Sequence, residues 1–185
     1  MKPKHWHLAA VAAATLVLAT AELPARVSES AGRTSDTGSS PRVATLQHDP
    51  GFILEAVAGR MGITLRPELA PPAILLESRT PLERLQAAAE RQWGFRPQVF
   101  TTTYASAGNE IYLIDDAALY AQYGGTPDDS LAHELVHYLQ ATYLKDRFTT
   151  DWSESEAVAV QTWFRKEYMT PGLATAGTQQ ARAPR

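Results

Sequence analysis

SLAHELVHYLQ, residues 130–140, is the stretch on which the reading of this chain turns. His133 and His137 stand four apart around Glu134 in the pattern HExxH. Leu131, Leu135 and Leu139 recur at the same spacing, as one apolar face of a helix does. On such a helix, residues i and i+4 lie about 40° apart around the axis and one turn apart along it, so both imidazoles can reach one metal ion. Glu134 falls about 100° round from His133, near enough to meet a water in the metal's open position without ligating the metal itself. The three leucines, on the opposite face, are expected to bury against the rest of the domain.

Working outward, the flanking sequence reads as alternating short elements. Asp49-Pro50 is an N-cap followed by the proline favoured at the first helical position, and Gly62 closes the helix they open. Ile63 to Leu65 and Ala73 to Leu76 are strand candidates on either side of a proline-rich bend. Thr80-Pro81-Leu82-Glu83 has the form of a capping box for a helix ending at Trp93-Gly94. Pro97 to Tyr104 and Glu110 to Asp115 are Thr-rich, aromatic or β-branched, and ASAGN between them reads as the turn of a hairpin. A short helix spans Ala117 to Tyr123. Asp128, Asp129 or Ser130 is expected to cap the His-bearing helix, which runs to about Leu144, and a last helix begins at Asp151 or Ser153 and ends near Tyr168. The expected fold is α+β, a small sheet with a hairpin and helices, in which the HExxH helix packs beside the last helix.

The ends of the chain differ in kind from this middle. Lys2 and Lys4 precede the uncharged run Leu8 to Leu18, and Ala19-Thr20-Ala21 has the small-x-small form of a cleavage site. An 11-residue run is short for a bilayer, which takes about 20 residues of helix. Residues 1–21 are therefore read as a secretory signal cleaved before Glu22, which makes the protein secreted or periplasmic with no stable membrane span. Residues 22–48 are rich in Ser, Thr, Gly and Pro and read as a flexible linker, and 171–185 as a disordered tail. The domain is expected over 49–170.

Composition narrows the chemistry. No cysteine is present, so any metal must be held by His, Asp, Glu or backbone, and thiol nucleophiles and disulfide scaffolds are excluded. The formal net charge of −3 argues against a nucleic-acid partner. GxSxG, P-loop and GxGxxG patterns do not occur. Two imidazoles leave a catalytic zinc short of a ligand, since such sites have three protein ligands and keep a place for water. With no third histidine downstream of His137, the next ligand should be a carboxylate from DWSESEAVAVQ: Glu154, Glu156 or Asp151. Glu156 also completes an S-x-x-E capping box with Ser153, which needs no metal.

HELVHYLQ followed by ESEAVAVQ resembles the gluzincin zinc metallopeptidases, thermolysin among them, whose second motif is a Glu on the following helix. More narrowly, it is similar to small exported bacterial proteins with an HELVHxxQ…ExEA signature. The resemblance covers about Glu110 to Tyr168. It implies a minimal zincin-like fold binding Zn2+, with EIYLID in the place of the edge strand that pairs with extended substrate. In those families the ligand Glu stands three before a small residue and four before an Asp or Asn. That pattern selects Glu154, with Ala157 at +3 but Val158 at +4. Glu156 has the rival claim of thermolysin-like spacing from His137. The implied activity is hydrolysis of a peptide or protein substrate, with His133, His137 and the carboxylate on zinc and Glu134 as general base. The alternative is an envelope binding module in which zinc only ties two helices together. Tyr104, Tyr112, Tyr138, Tyr143 and Tyr168 are read as packing residues before any oxyanion role.

Overall fold

A computed structural model of the chain describes residues 43–144 and 150–169, the side chains of 150–153 excepted. The expected signal segment, most of the expected linker and the expected tail lie outside the described residues.

The elements follow the order α1 (Pro50–Arg60), β1 (Ala73–Leu76), a 3-10 turn (Glu77–Arg79), α2 (Leu82–Trp93), β2 (Thr103–Ala105), β3 (Glu110–Leu113), α3 (Ala117–Tyr123), α4 (Pro127–Tyr143) and α5 (Thr150–Phe164). A π-helical turn at Arg165–Met169 extends α5. The domain is α+β with a three-stranded mixed sheet in the order β1-β3-β2. β1 runs parallel to β3 with Ala73 opposite Glu110, and β2 pairs antiparallel with Tyr104 opposite Ile111.

The alternation along β3 sorts the core into two layers. Ile111 and Leu113, with Tyr104 of β2, join Ile53, Val57, Leu131, Leu135, Leu139, Val160 and Phe164 on the side of α1, α4 and α5. Tyr112 and Ala105 face the other way onto Leu85 and Ala88 of α2. Residues 111–113 are fully buried, as a central strand covered on both faces must be. Leu131, Leu135 and Leu139 are at most 2% exposed, so the apolar back of α4 seats where its spacing requires. α4 in turn packs against α5, α1 and the β2–β3 hairpin.

Several boundaries differ from the sequence expectation, each for a local reason. Residues 63–65 form no strand. The Ile63 N–H closes α1 by bonding to Ala58 O at 2.8 Å, while Gly62 sits at φ 67°. An amide used to cap a helix is lost to a ladder. The capping box at Thr80 does not form either: Pro81 is the N-cap of α2, and no side chain caps it. α4 begins earlier than expected. Thr126 is its cap, accepting from Asp129 N, while the Asp129 carboxylate accepts from Thr126 N.

That shift frees Asp128, which is fully buried and anchors the chain ahead of α1. Its carboxylate accepts from the Gln47 and His48 backbone amides at 2.9 and 2.8 Å and contacts His48 Nδ1 at 2.9 Å. Val43 bridges to Asp116, and Ala44 N donates to Asp115 O. The linker expected over 22–48 therefore gives up its last six residues to the domain. The reason is long-range: nothing local in that polar stretch announces that a buried carboxylate eighty residues away will take its amides.

Candidate metal centre

His133 and His137 project from the middle of α4 towards α5, and Glu154 meets them from the first turns of α5. Glu154 Oε1 lies 3.4 Å from His133 Nε2, and its Oε2 lies 3.5 Å from His137 Nε2. The two Nε2 atoms are 3.1 Å apart. Among the described residues, these three offer ligand atoms within 4.8 Å of one another. The helices run antiparallel here, because His133 meets Gln161 while Gln140, further along α4, meets Glu156. A His pair one turn apart thus faces a single Glu near the start of the neighbouring helix.

The chemistry of this set is one-sided. His133 Nδ1 lies 3.3 Å from Gln161 Oε1, and His137 Nδ1 lies 3.2 Å from Gln140 Oε1. A neutral imidazole that donates from Nδ1 presents a lone pair at Nε2. Burial holds both histidines below the usual imidazole pKa; His137 adds to this at His133, and the charge of Glu154 opposes it at both. Two lone pairs and a carboxylate, all acceptors, therefore converge on one point. Such a set calls for a cation. The residues fit a divalent metal with imidazole and carboxylate ligands. The side chains of His133, His137 and Glu154 are 12%, 18% and 35% exposed, so the cluster is partly buried and Glu154 is its most exposed member.

Glu134 is the next residue on α4, and its carboxyl takes a backbone hydrogen bond from Tyr104 of β2. Glu134 is 6% exposed. Burial pushes its carboxyl pKa up to about 8, a backbone hydrogen bond from Tyr104 opposing and the charge of Glu154 adding to the rise.

Glu156 does not join the cluster. Its Oε2 accepts from Gln140 Nε2 at 2.9 Å, which places it behind His137. The Asp151 side chain lies outside the described residues. Val158, where a family pattern would put Asp or Asn, is 48% exposed. The amides that meet the imidazoles come instead from Gln140 and Gln161, the last letters of HELVHYLQ and ESEAVAVQ. The signal for Gln161 was its spacing: seven residues after Glu154 is two turns, hence the same helix face.

One further expectation is corrected. EIYLID is the central strand of the sheet, so both its edges are occupied, and the edge beside α4 is β2. The Tyr104 backbone is also engaged there, its carbonyl accepting from Gln92 Nε2 at 3.4 Å. The tyrosines are held by structure. Tyr104 donates to Asn109, Tyr112 to Glu110 and Tyr138 to the Ala70 carbonyl, while Tyr143 accepts from Arg66 N. Tyr168 packs on His48, Phe52 and Phe164.

A cavity of about 200 Å³ lies on the far side of α4, lined by Leu54, Leu65, Pro71, Pro72, Ile74 and Leu135 among others. Its walls are largely aliphatic and share no residue with the cluster, so the chemistry is placed by the cluster and not by this cavity. No described helix is long and apolar enough to cross a membrane. No family model, curated protein or solved structure matches the chain.

Proposed function

We propose that this chain is an exported zinc-dependent hydrolase, a small peptidase with a minimal zincin-like arrangement. The observation that carries the reading is the convergence of His133, His137 and Glu154 on one point, with the buried carboxyl of Glu134 on the adjacent position of α4. Zinc, when bound, would act as a Lewis acid on a substrate carbonyl and make water acidic enough to attack near neutral pH. His133, His137 and Glu154 would hold it, and three protein ligands are the number with which a catalytic zinc keeps a place for water. Glu134 would take a proton from the attacking water and deliver it to the leaving nitrogen. A carboxylate in that place could accept a proton and return it. Export is supported by the apolar run after Lys2 and Lys4 and the Ala19-Thr20-Ala21 site.

The second reading, a zinc-stabilised binding module, is favoured by one feature: the ligands tie α4 to α5 across the most extensive helix pairing of the domain. Glu134→Gln separates the two. This change keeps size and hydrogen bonding but removes basicity. For a hydrolase, zinc content should hold while cleavage of an unstructured-peptide library falls about 100-fold or more. A wild-type protein that binds zinc yet cleaves nothing in that library would leave the module.

A further inference from the structure

Each imidazole of the cluster is backed by a glutamine, and each glutamine by a carboxylate. His137 Nδ1 faces Gln140 Oε1 at 3.2 Å, and Gln140 Nε2 donates to Glu156 Oε2 at 2.9 Å. His133 Nδ1 faces Gln161 Oε1 at 3.3 Å, and Gln161 Nε2 donates to Asp129 Oδ1 at 3.5 Å. The Asp129 carboxylate is itself held by Arg165 Nε and by Thr126 N.

We infer that Glu156 and Asp129 are positioning residues that fix, through Gln140 and Gln161, which nitrogen of His137 and His133 carries the proton. The argument rests on what each group is able to do. A carboxylate only accepts, so the side of the amide facing it must be the NH2 group. The other side must then be the oxygen. An amide oxygen also only accepts, so the imidazole nitrogen facing it must be N–H. The proton is thereby assigned to Nδ1, and each Nε2 is left as a lone pair 3.1 Å from the other and facing the Glu154 carboxylate, a meeting of acceptors that a cation would resolve. A glutamine alone would not do this, because its two ends exchange by a half-turn of the amide. The remote carboxylate removes that freedom.

Glu156 thus has a role without being a ligand, and the exposed Val158 is not needed to orient either imidazole. The two relays enter from opposite sides. One closes on α5 from Gln140 of α4, the other on α4 from Gln161 of α5, so the antiparallel pair braces both imidazoles. The shorter Glu156 contact makes the His137 relay the tighter of the two.

The assignment deepens the metal reading but is measurable without metal. Long-range proton–nitrogen NMR of the metal-free full chain, at a pH where both rings are neutral, reports the tautomer of each histidine. The expected result is Nδ1–H for His133 and His137 alike. Glu156→Gln should unlock His137 and leave His133 unchanged, and Gln161→Leu should do the reverse. Each should weaken zinc binding about 10- to 100-fold, measured by competition with a chelator, with the circular dichroism spectrum retained. Nε2–H at either histidine of the wild type overturns the inference, and that spectrum needs no variant to fold. Variants that shift both tautomers together, or neither, overturn it as well. Should both rings carry Nδ1–H in a wild type that binds no zinc, the relays stand and the metal reading falls.

Discussion

The Glu154 carboxylate spans the two histidines, with one oxygen 3.4 Å from His133 Nε2 and the other 3.5 Å from His137 Nε2. Neither separation is a good hydrogen bond, and with both Nε2 atoms unprotonated there is no donor between them. Converging acceptors of this kind suit a cation and not a hydrogen-bond network. The purified protein should therefore carry about one zinc per chain. His133→Ala, His137→Ala and Glu154→Ala should each lose most of it, and Glu156→Ala much less. Free zinc at about 100 times its Kd should stabilise the fold by about 2.7 kcal/mol, read as a rise in melting temperature that a chelator reverses. Full zinc content in the His133→Ala/His137→Ala double variant would refute the site.

Metal-free protein should reveal Glu134 through pH. Its folded pKa is raised from 4.5 to about 8, so the stability linked to it is fully present below pH 4.5 and lost as pH climbs through about 8. The histidines have the opposite sign. Their folded pKa values are depressed, so their contribution is present above 6.5 and lost as pH falls from there. Between 6.5 and about 8 the Glu134 term dominates. There the wild-type unfolding free energy should decline with pH by up to about 1.4 kcal/mol per unit. In Glu134→Gln that decline should vanish. Denaturant melts across this window make the comparison, and parallel slopes in the two proteins would show that Glu134 is not titrating there.

Much of this site was legible in the sequence because a helix is a local object. The spacing of His133, His137 and the three leucines dictates one face for ligands and one for the core. Glu154 was reachable because its helix had to return beside the first. What could not be read was long-range. Glu156 is a short step from Glu154 in sequence, and only the packing of α4 on α5 gives it to Gln140 instead of to the metal point. Asp128 looked like one of three candidate caps for α4, yet Thr126 caps that helix and Asp128 serves the segment before α1. The strand candidate at Ile63 to Leu65 failed for a smaller reason: its first amide had already been taken to end α1. The hairpin succeeded because ASAGN and the β-branched flanks are local signals, but its pairing placed EIYLID in the middle of the sheet, and strand order is not written in any one strand.

Thr126 should report on the start of α4 with little effect on the metal. Its hydroxyl accepts from Asp129 N at 3.2 Å, and Asp129 answers through the Thr126 amide at 3.3 Å. Thr126→Ala should cost about 1 kcal/mol, and Thr126→Ser almost nothing, in urea unfolding. A loss in the alanine variant that serine does not restore would assign the effect to the threonine methyl and not to the cap.

The last prediction concerns the strap ahead of α1. Asp128 is fully buried, and its carboxylate meets the Gln47 amide, the His48 amide and the His48 ring. His48 then stacks on Phe52 with ring centroids 5.3 Å apart and meets Phe164 and Tyr168 edge-on. Removing the carboxylate strips both amides of their acceptor and loosens the ring that joins the strap to α1 and α5. Asp128→Ala should destabilise the domain by about 2–4 kcal/mol, the sum of lost charge-assisted bonds and of polar groups left without partners. Asp128→Asn should fall between, since its amide oxygen can still accept one of the two backbone bonds. Hydrogen exchange locates the effect: the amides of Gln47 and His48 should lose protection in Asp128→Ala, while those of Ile111 to Leu113 in the central strand keep theirs beyond the global loss. Protection of Gln47 and His48 that survives the substitution would mean that aromatic packing, not the buried carboxylate, holds the strap in place.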